Sequence, residues 1–403
     1  MKTPNLTHKW RTLWLLSLAE LLAMVVWFSA SAVTNDLAAL WALDEAGRAW
    51  LTMSVQIGFV VGALGSAILT LADRIPARHF FIVATFLAAA ATALIPFQAD
   101  SPANALILRF LTGVFLAGVY PVGMKIMATW TQADRGLGIG LLVGALTIGS
   151  AAPHLLNALG GIGEWQRVLW VAAGLAALAG VIAAFFVYEG PYTARASRFR
   201  LGDIRHIVTD RQVMLANLGY LGHMWELYAM WAWLFAFLTA SFAIQGTDSR
   251  WAGLVTFLAI ASGGISSVVA GKLADRIGRP TVTSVSMAIS GLCALVIGLF
   301  FGSNVLLVSA VALIWGFFIV ADSAQFSASI SELADKRFVG TALTLQTSMG
   351  FLLTLFTIRI IPTLERLLTW HWAFTFLAIG PVIGIVAMQL LRRSIQQTTN
   401  ASN

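Results

Sequence analysis

Residues 271–280 read GKLADRIGRP, and the LADRI at their centre has a second copy at residues 71–75. Each copy comes at the end of a long apolar run and places an Asp-Arg pair in a short polar segment. The copies lie 202 residues apart in a chain of 403 residues. This stretch therefore predicts a chain of two related halves, each with the same polar turn.

Three further matches occur in the same order along the chain. The segment ELLAMVVW at residues 20–27 matches ELYAMWAW at 226–233 in five of eight positions, residues 133–135 lie opposite 334–336, and Trp165 lies opposite Trp370. The displacements of all four matches fall between 201 and 206 residues. The common displacement supports two copies of one sequence unit, each about half of the chain.

Composition identifies the solvent of this chain as lipid. Hydrophobic residues make up 59% of it and charged residues only 11%, and a helix that crosses a bilayer needs about 20 apolar residues. Lipid-exposed backbone must satisfy its own hydrogen bonds, and the apolar runs lack the alternation of a membrane barrel. We predict an all-α membrane protein whose twelve transmembrane helices form two pseudo-symmetric six-helix bundles, with spans near 12–34, 49–71, 79–97, 104–129, 137–158, 167–188, 213–242, 250–271, 281–301, 304–330, 341–361 and 370–391.

The position of the positive charges predicts the topology. The formal net charge is +7, which by itself is also typical of nucleic-acid-binding proteins. With a cytoplasmic N-terminus, however, most of the 25 Lys and Arg residues fall on the cytoplasmic side. We therefore predict two cytoplasmic termini and no nucleic-acid partner. The arginine-rich segment 189–211 is predicted to be a cytoplasmic linker between an N-terminal bundle, 1–188, and a C-terminal bundle, 212–403.

The GKLADRIGRP segment closely resembles the loop motif of the major facilitator superfamily. In that family the motif follows the second span of each half and forms a cytoplasmic latch between helices, which breaks and reforms during transport. The resemblance implies that the latch of this chain is formed by Gly271, Asp275, Arg276, Gly278 and Arg279, and in the first half by Asp73, Arg74 and Arg78. The first copy is degenerate, with Leu69, Pro76 and Ala77 at motif positions.

Span 4 is similar to a second motif of the same family. Arg109 is followed by Gly113 and Gly118, and the resemblance implies a buried arginine that is linked to proton coupling. The stretch from Gly144 to Pro153 only loosely resembles the glycine-proline motif of drug antiporters, which argues against drug efflux. The resemblance covers the whole chain and implies a rocker-switch carrier with one central site.

Three acidic residues fall inside the predicted spans. They are Glu20, Glu226 and Asp322, and a charge at mid-bilayer costs at least ~2.5 kcal/mol. The repeat places Glu20 and Glu226 at equivalent points of spans 1 and 7, which line the central cavity in the superfamily. We interpret both as proton-coupling groups, with structural carboxyl groups that tie helices together as the alternative.

Two basic side chains lie near these acids in the predicted map. His223 is three residues before Glu226 and shares its helix face, so it is a candidate proton relay, or else a packed histidine. Arg109 is interpreted either as the counter-charge of Glu20 or as a group that binds a substrate anion.

A polar stripe on span 10 is the candidate substrate site. Asp322, Gln325 and Ser329 point in one direction, and such a stripe faces protein or water rather than acyl chains. It either lines a cavity or forms hydrogen bonds between helices. Weaker candidates for substrate binding, with helix packing as the alternative, are Gln346 and the deep aromatic residues Trp27, Tyr228 and Trp231.

These features predict a proton-coupled secondary transporter of a small polar metabolite or organic anion, in the inner membrane of a bacterium and as a monomer. Proton-driven efflux of lipophilic or cationic compounds is the alternative. The six histidines are far apart in sequence and Cys293 is the single cysteine, so no metal site, cofactor or enzymatic constellation is predicted. The expected partners are the solute, protons and the lipid bilayer.

Overall fold

The structure is a computed structural model that describes residues 6–69, 71–98, 101–131, 135–160, 165–192, 204–335 and 339–402. All regular elements in these ranges are helices, which confirms the predicted all-α class. The chain forms two compact units. Unit 1 comprises residues 1–196 with 249–257, and unit 2 comprises residues 197–248 with 258–403. The predicted linker lies partly outside the described residues, and the three predicted domain boundaries stay predictions.

The first half of the chain contains ten described α-helices. In chain order they are α1 (Leu6–Met24), α2 (Ser29–Ala32), α3 (Thr34–Trp41), α4 (Glu45–Ile68), α5 (Leu71–Arg74), α6 (Ala77–Leu94) with a 3-10 turn at Ile95–Gln98, α7 (Pro102–Leu116), α8 (Tyr120–Ala128), α9 (Arg135–Gly160) and α10 (Trp165–Phe186).

The second half contains nine described α-helices. They are α11 (Ile204–Thr209), α12 (Arg211–Ile244), α13 (Ser249–Ile277), α14 (Arg279–Val296) with a 3-10 turn at Ile297–Phe300, α15 (Val305–Ala321), α16 (Ser323–Leu333), α17 (Val339–Leu368), α18 (Trp370–Ala373) with a 3-10 turn at Phe374–Ala378, and α19 (Ile379–Ser402).

Among the described residues, 11 helical segments are long and apolar enough to cross a membrane, and they coincide with predicted spans 2 to 12. Span 1 is not among them, because its 19-residue helix α1 carries Lys9, Arg11 and Glu20 and ends at Met24. The count of twelve spans and the cytoplasmic termini therefore stay predictions.

Predicted spans 1, 4 and 10 are interrupted helices. Span 1 leaves the helical path at residues 25–28, between α1 and α2. Span 4 breaks between α7 and α8, where Pro121 stands near the start of α8 and has no N–H to donate to the preceding turn. Span 10 breaks at Asp322, which ends α15 and precedes the first residue of α16. An interrupted helix exposes backbone carbonyl groups that need other donors.

The internal repeat is visible in the packing of each unit. In unit 1, a Cβ atom added to Gly113 of α7 would lie 1.9 Å from the carbonyl oxygen of Val55 in α4. In unit 2, a Cβ atom on Gly316 of α15 would lie 2.0 Å from the carbonyl oxygen of Ala259 in α13. The second and fourth spans of each unit thus touch backbone to backbone at corresponding positions, which only glycine allows.

Candidate functional site

Glu226 is held by two side-chain donors inside unit 2. The indole N–H of Trp315 donates to Oε1 over 2.7 Å, and the hydroxyl of Ser290 donates to Oε2 over 2.8 Å. The carboxyl group is 1% exposed, so its oxygens accept hydrogen bonds from α14 and α15 while it is carried by α12. Glu226 thus ties three helices together. Neither donor was identified from the sequence, although both stand out as hydrogen-bonding side chains within apolar runs.

His223 and Asp322 form a buried pair next to Glu226. Nδ1 of His223 lies 2.9 Å from Oδ1 of Asp322, and both side chains are 1% exposed. Asp322 is also close enough to Glu226 to interact with it electrostatically. The sequence suggested that His223 serves Glu226, whereas the structure gives His223 a partner 99 residues away at the break in span 10.

The imidazole of His223 is packed against two aromatic rings. Its centroid lies 5.5 Å from the ring of Phe326 on α16 and 6.2 Å from the ring of Tyr220 on α12. Such contacts fix the ring orientation and leave Nδ1 facing Asp322. The pair is therefore part of the α12–α16 packing.

Glu20 lies in unit 1 without a comparable set of donors. It is fully buried, and neither carboxyl oxygen has a hydrogen-bond partner among the described residues. Oε2 of Glu20 lies against Gly123 of α8: a Cβ atom added to Gly123 would be 2.8 Å from this oxygen. The same added atom would next meet the side chains of Leu142 and Phe81. A buried, unpaired carboxyl group is most stable with a proton on it.

Arg109 braces the break in span 1. Nη1 donates to the carbonyl oxygen of Val26 over 2.7 Å and to Oγ of Ser29 over 3.3 Å, and Nη2 donates to the carbonyl oxygen of Trp27. Nε donates to the carbonyl oxygen of Leu51 over 3.3 Å. The sequence offered Glu20 or a substrate anion as the partner of Arg109. The structure instead directs its donors to backbone carbonyl groups, which explains how an interrupted helix is satisfied in an apolar environment.

The polar stripe of span 10 divides between two environments. Asp322 belongs to the pair with His223, whereas Gln325 accepts a hydrogen bond from Nη1 of Arg279 over 2.6 Å. Ser329 donates back to the carbonyl oxygen of Gln325. The candidate substrate residue Gln325 is therefore joined to the latch motif of unit 2.

The second latch copy forms a charge cluster within unit 2. Arg279 makes two hydrogen bonds to Glu332 of α16, over 2.9 and 2.6 Å, and its Nη2 is 3.7 Å from Oδ1 of Asp275. Gly278 has a φ of +87° between α13 and α14, a conformation that favours glycine. Gly271 is buried and Arg276 is exposed. Glu332 was missed in the sequence because the motif does not contain it.

The first latch copy is arranged differently. Arg78 donates to the carbonyl oxygens of Ala183, over 3.3 Å, and of Ala184, and its guanidinium lies 4.6 Å from the ring centre of Tyr188. These contacts attach Arg78 to the end of α10 and the residues after it. Arg74 is exposed, and the side chain of Asp73 lies outside the described part of the structure.

The remaining candidates are buried within their own units. Trp27 packs on Phe59 at 5.0 Å in unit 1, and Tyr228 packs on Trp231 at 5.4 Å in unit 2. Oε1 of Gln346 accepts a hydrogen bond of 3.5 Å from Ser327. The structure thus brings His223, Glu226 and Asp322 together in unit 2, and Glu20 and Arg109 lie in unit 1.

Comparison with known proteins assigns the family. No curated protein matches the sequence. The crystal structure of a mutant of the nucleoside transporter NupG matches with a TM-score of 0.72 and 15% identity, over 94% of this chain and 99% of that one. At this identity the match shows the fold alone. The family model of the Major Facilitator Superfamily matches residues 15–258 and 218–402, so the chain belongs to this superfamily of secondary transporters for small solutes.

Proposed function

We propose that the protein is a monomeric, proton-coupled carrier that moves a small polar solute across the bacterial inner membrane by alternating access. The observation that carries this proposal is the buried His223–Asp322 pair beside Glu226, with 2.9 Å between Nδ1 and Oδ1. Ionisable groups are costly inside membrane-spanning helices and are commonly kept there for proton or ion pathways.

The chemistry of the pair suits proton exchange. An imidazole ring has two nitrogens that can carry a proton, and a carboxyl group beside it can exchange a proton with the ring. Asp322 stands where span 10 is interrupted between α15 and α16. A change in the bend at this point would alter the distance between Asp322 and His223. Protonation and helix geometry are therefore coupled through one contact.

The two glutamates have different roles in this proposal. Glu226 already accepts hydrogen bonds from Trp315 and Ser290, so it acts as a fixed charge or dipole that influences the neighbouring Asp322. Glu20 has no such partner among the described residues, and it provides a second place for a proton, in unit 1.

The contacts of Arg109 support a polar solute over an organic anion. Its guanidinium is directed at backbone carbonyl groups and Ser29, so it is not available as an anion clamp in this conformation. The efflux alternative has one supporting observation, the carboxyl group of Glu20, which has no hydrogen-bond partner among the described residues and would suit a cationic compound.

Transport into proteoliposomes tests the proposal. One proton moved down 100 mV supplies about 2.3 kcal/mol, which sustains a solute gradient of about fiftyfold because each 1.4 kcal/mol is a factor of ten. We expect purified wild-type protein to accumulate radiolabelled uridine or glucose when a proton gradient is imposed. His223→Gln and Asp322→Asn should lose this accumulation and retain downhill exchange.

Succinate and ethidium serve as the anionic and cationic probes in the same assay, and His79→Gln, which replaces an exposed histidine, is the control variant. Equal dependence on the proton gradient in wild type and in both pair variants would contradict the role of His223 and Asp322. Proton-driven movement of ethidium alone would favour the efflux alternative.

A further inference from the structure

Two buried amide side chains in unit 2 have unused hydrogen-bonding capacity. Asn217 of α12 is 2% exposed and Gln346 of α17 is 1% exposed. Among the described residues, neither Nδ2 nor Oδ1 of Asn217 has a hydrogen-bond partner, and Nε2 of Gln346 has none. Buried amides are normally paired, because leaving one unpaired costs folding free energy.

The two amides lie on facing sides of neighbouring helices. A Cβ atom added to Gly350 of α17 would lie 2.4 Å from Cε1 of Tyr220 and 2.9 Å from Cγ of Met224 on α12. Residues three, four or seven positions apart share a helix face. Asn217 therefore shares the face of Tyr220 and Met224, and Gln346 shares the face of Gly350. Further along both helices, Tyr228 packs on Phe351 and the indole N–H of Trp233 donates to the carbonyl oxygen of Ile358. The two helices therefore run in the same direction, which places the amides within about one helical turn of each other.

The contacts between α12 and α17 adjoin the His223–Asp322 pair. Ser327 of α16 donates to Oε1 of Gln346 over 3.5 Å, and the preceding residue, Phe326, packs on the ring of His223 at 5.5 Å. Nε2 of His223 also has no hydrogen-bond partner among the described residues. The amides and the His223–Asp322 pair therefore both lie at the contacts among α12, α16 and α17.

We propose that Asn217 and Gln346 bind the transported solute, and that this solute is neutral and carries both hydrogen-bond donors and acceptors, such as hydroxyl or amide groups. This inference rests on the carrier function proposed above and specifies its substrate class. A primary amide offers a donor and an acceptor without a charge. Among the ionisable groups nearby, Nδ1 of His223 faces Oδ1 of Asp322, and Glu226 accepts from its two donors. A solute bound between the amides would contact the same helices that hold the pair, which links its binding to the proton.

Replacement by leucine separates a binding role from a structural one. Asn217→Leu and Gln346→Leu keep the approximate size of the side chain and remove its amide group. Of the four amide atoms removed, only Oε1 of Gln346 has a hydrogen-bond partner among the described residues. We expect the melting temperature of the purified protein to stay constant or to rise, and KM for the neutral probes uridine or glucose to increase at least about tenfold. Asn157→Leu is the matched control, because Nδ2 of Asn157 donates to the carbonyl oxygen of Ala32 over 2.8 Å. That variant should melt earlier and keep its KM.

The outcomes distinguish this inference from the carrier function itself. A clear fall in melting temperature on both leucine replacements, with KM unchanged, would show that the amides are structural. A wild-type protein that moves only succinate or ethidium, or that is neither stabilised by nor transports any neutral probe, would also overturn the inference. Neutral transport without dependence on a proton gradient, but with raised KM in the leucine variants, would overturn proton coupling and leave this site intact.

Discussion

Glu20 and Glu226 occupy corresponding positions of the two halves, yet their surroundings differ. Glu226 receives hydrogen bonds from Trp315 and Ser290 and lies beside Asp322. Glu20 lies against Gly123 and has no hydrogen-bond partner among the described residues. Gly113 and Gly316 are 203 residues apart, and the same displacement places Thr112 in the position that corresponds to Trp315. The hydroxyl of Thr112 donates to the carbonyl oxygen of Leu108 in its own helix.

At Arg109 it is the first half that has the hydrogen bonds and the second half that lacks them. Arg109 braces the break in span 1 of unit 1, and the same displacement places Ala312 at the corresponding position of unit 2. The glycine contacts between spans are nevertheless equivalent in both units. The two halves therefore share the helix scaffold and the two acids, while the partners of the buried polar groups differ between them.

The largest expected effect comes from removing the brace of unit 1. Arg109→Leu leaves the carbonyl oxygens of Val26 and Trp27 without this donor, and we expect a loss of about 3–5 kcal/mol in unfolding free energy. Tryptophan fluorescence during thermal unfolding in detergent measures it. Arg359→Leu, at an exposed arginine, should change stability by no more than about 0.5 kcal/mol. Similar melting of the two variants would contradict the bracing role.

The shared scaffold predicts equal effects at its two glycine contacts. Gly113→Ala and Gly316→Ala each force a Cβ atom into a backbone carbonyl group, and each should cost about 1–3 kcal/mol. Gly174→Ala is the control, since a Cβ atom there meets nothing within 4 Å and alanine favours the helix. The same unfolding assay applies. A large loss at one glycine and none at the other would mean that the two units pack differently.

The smallest effect is expected at Glu20, when the two acids themselves are compared. Glu226→Leu leaves the donors of Trp315 and Ser290 unpaired and should cost about 1–3 kcal/mol, whereas Glu20→Leu removes a polar group without hydrogen-bond partners among the described residues and should be neutral within about 0.5 kcal/mol or stabilising. Thermal unfolding of both variants and of the double variant measures the difference. Equal destabilisation by the two single variants would show that Glu20 has stabilising contacts comparable to those of Glu226.

Much of the fold could be predicted because it depends on local patterns. The apolar runs alone place spans 2 to 12, and span 5, predicted at 137–158, is observed as Arg135–Gly160. The helices of spans 8, 11 and 12 continue at least six residues past their predicted ends. The breaks were not predicted. Residues 25–28 contain neither proline nor glycine, and the carbonyl groups of Val26 and Trp27 are satisfied by Arg109, which is more than 80 positions away.

The candidate site was predicted in its residues but not in its pairs. Glu20, Glu226, His223 and Asp322 stand out because polar groups in apolar runs are conspicuous at any position. Helix periodicity put His223 beside Glu226, but the structure joins it to Asp322. Asn217 was overlooked because a single amide near the start of a span has no pattern that marks it as unpaired.

The sequence by itself determined that this chain is an all-helical membrane protein with two related halves and a superfamily loop motif, because hydrophobic length, periodicity and repeats are properties of contiguous residues. Only the tertiary structure decided that Arg109 braces a helix break, that Trp315 and Ser290 hold Glu226, and that Asp322 faces His223. Those contacts depend on the rotation and packing of helices that are distant in sequence. The residues next to a buried side chain in the sequence do not indicate which distant side chain it will contact.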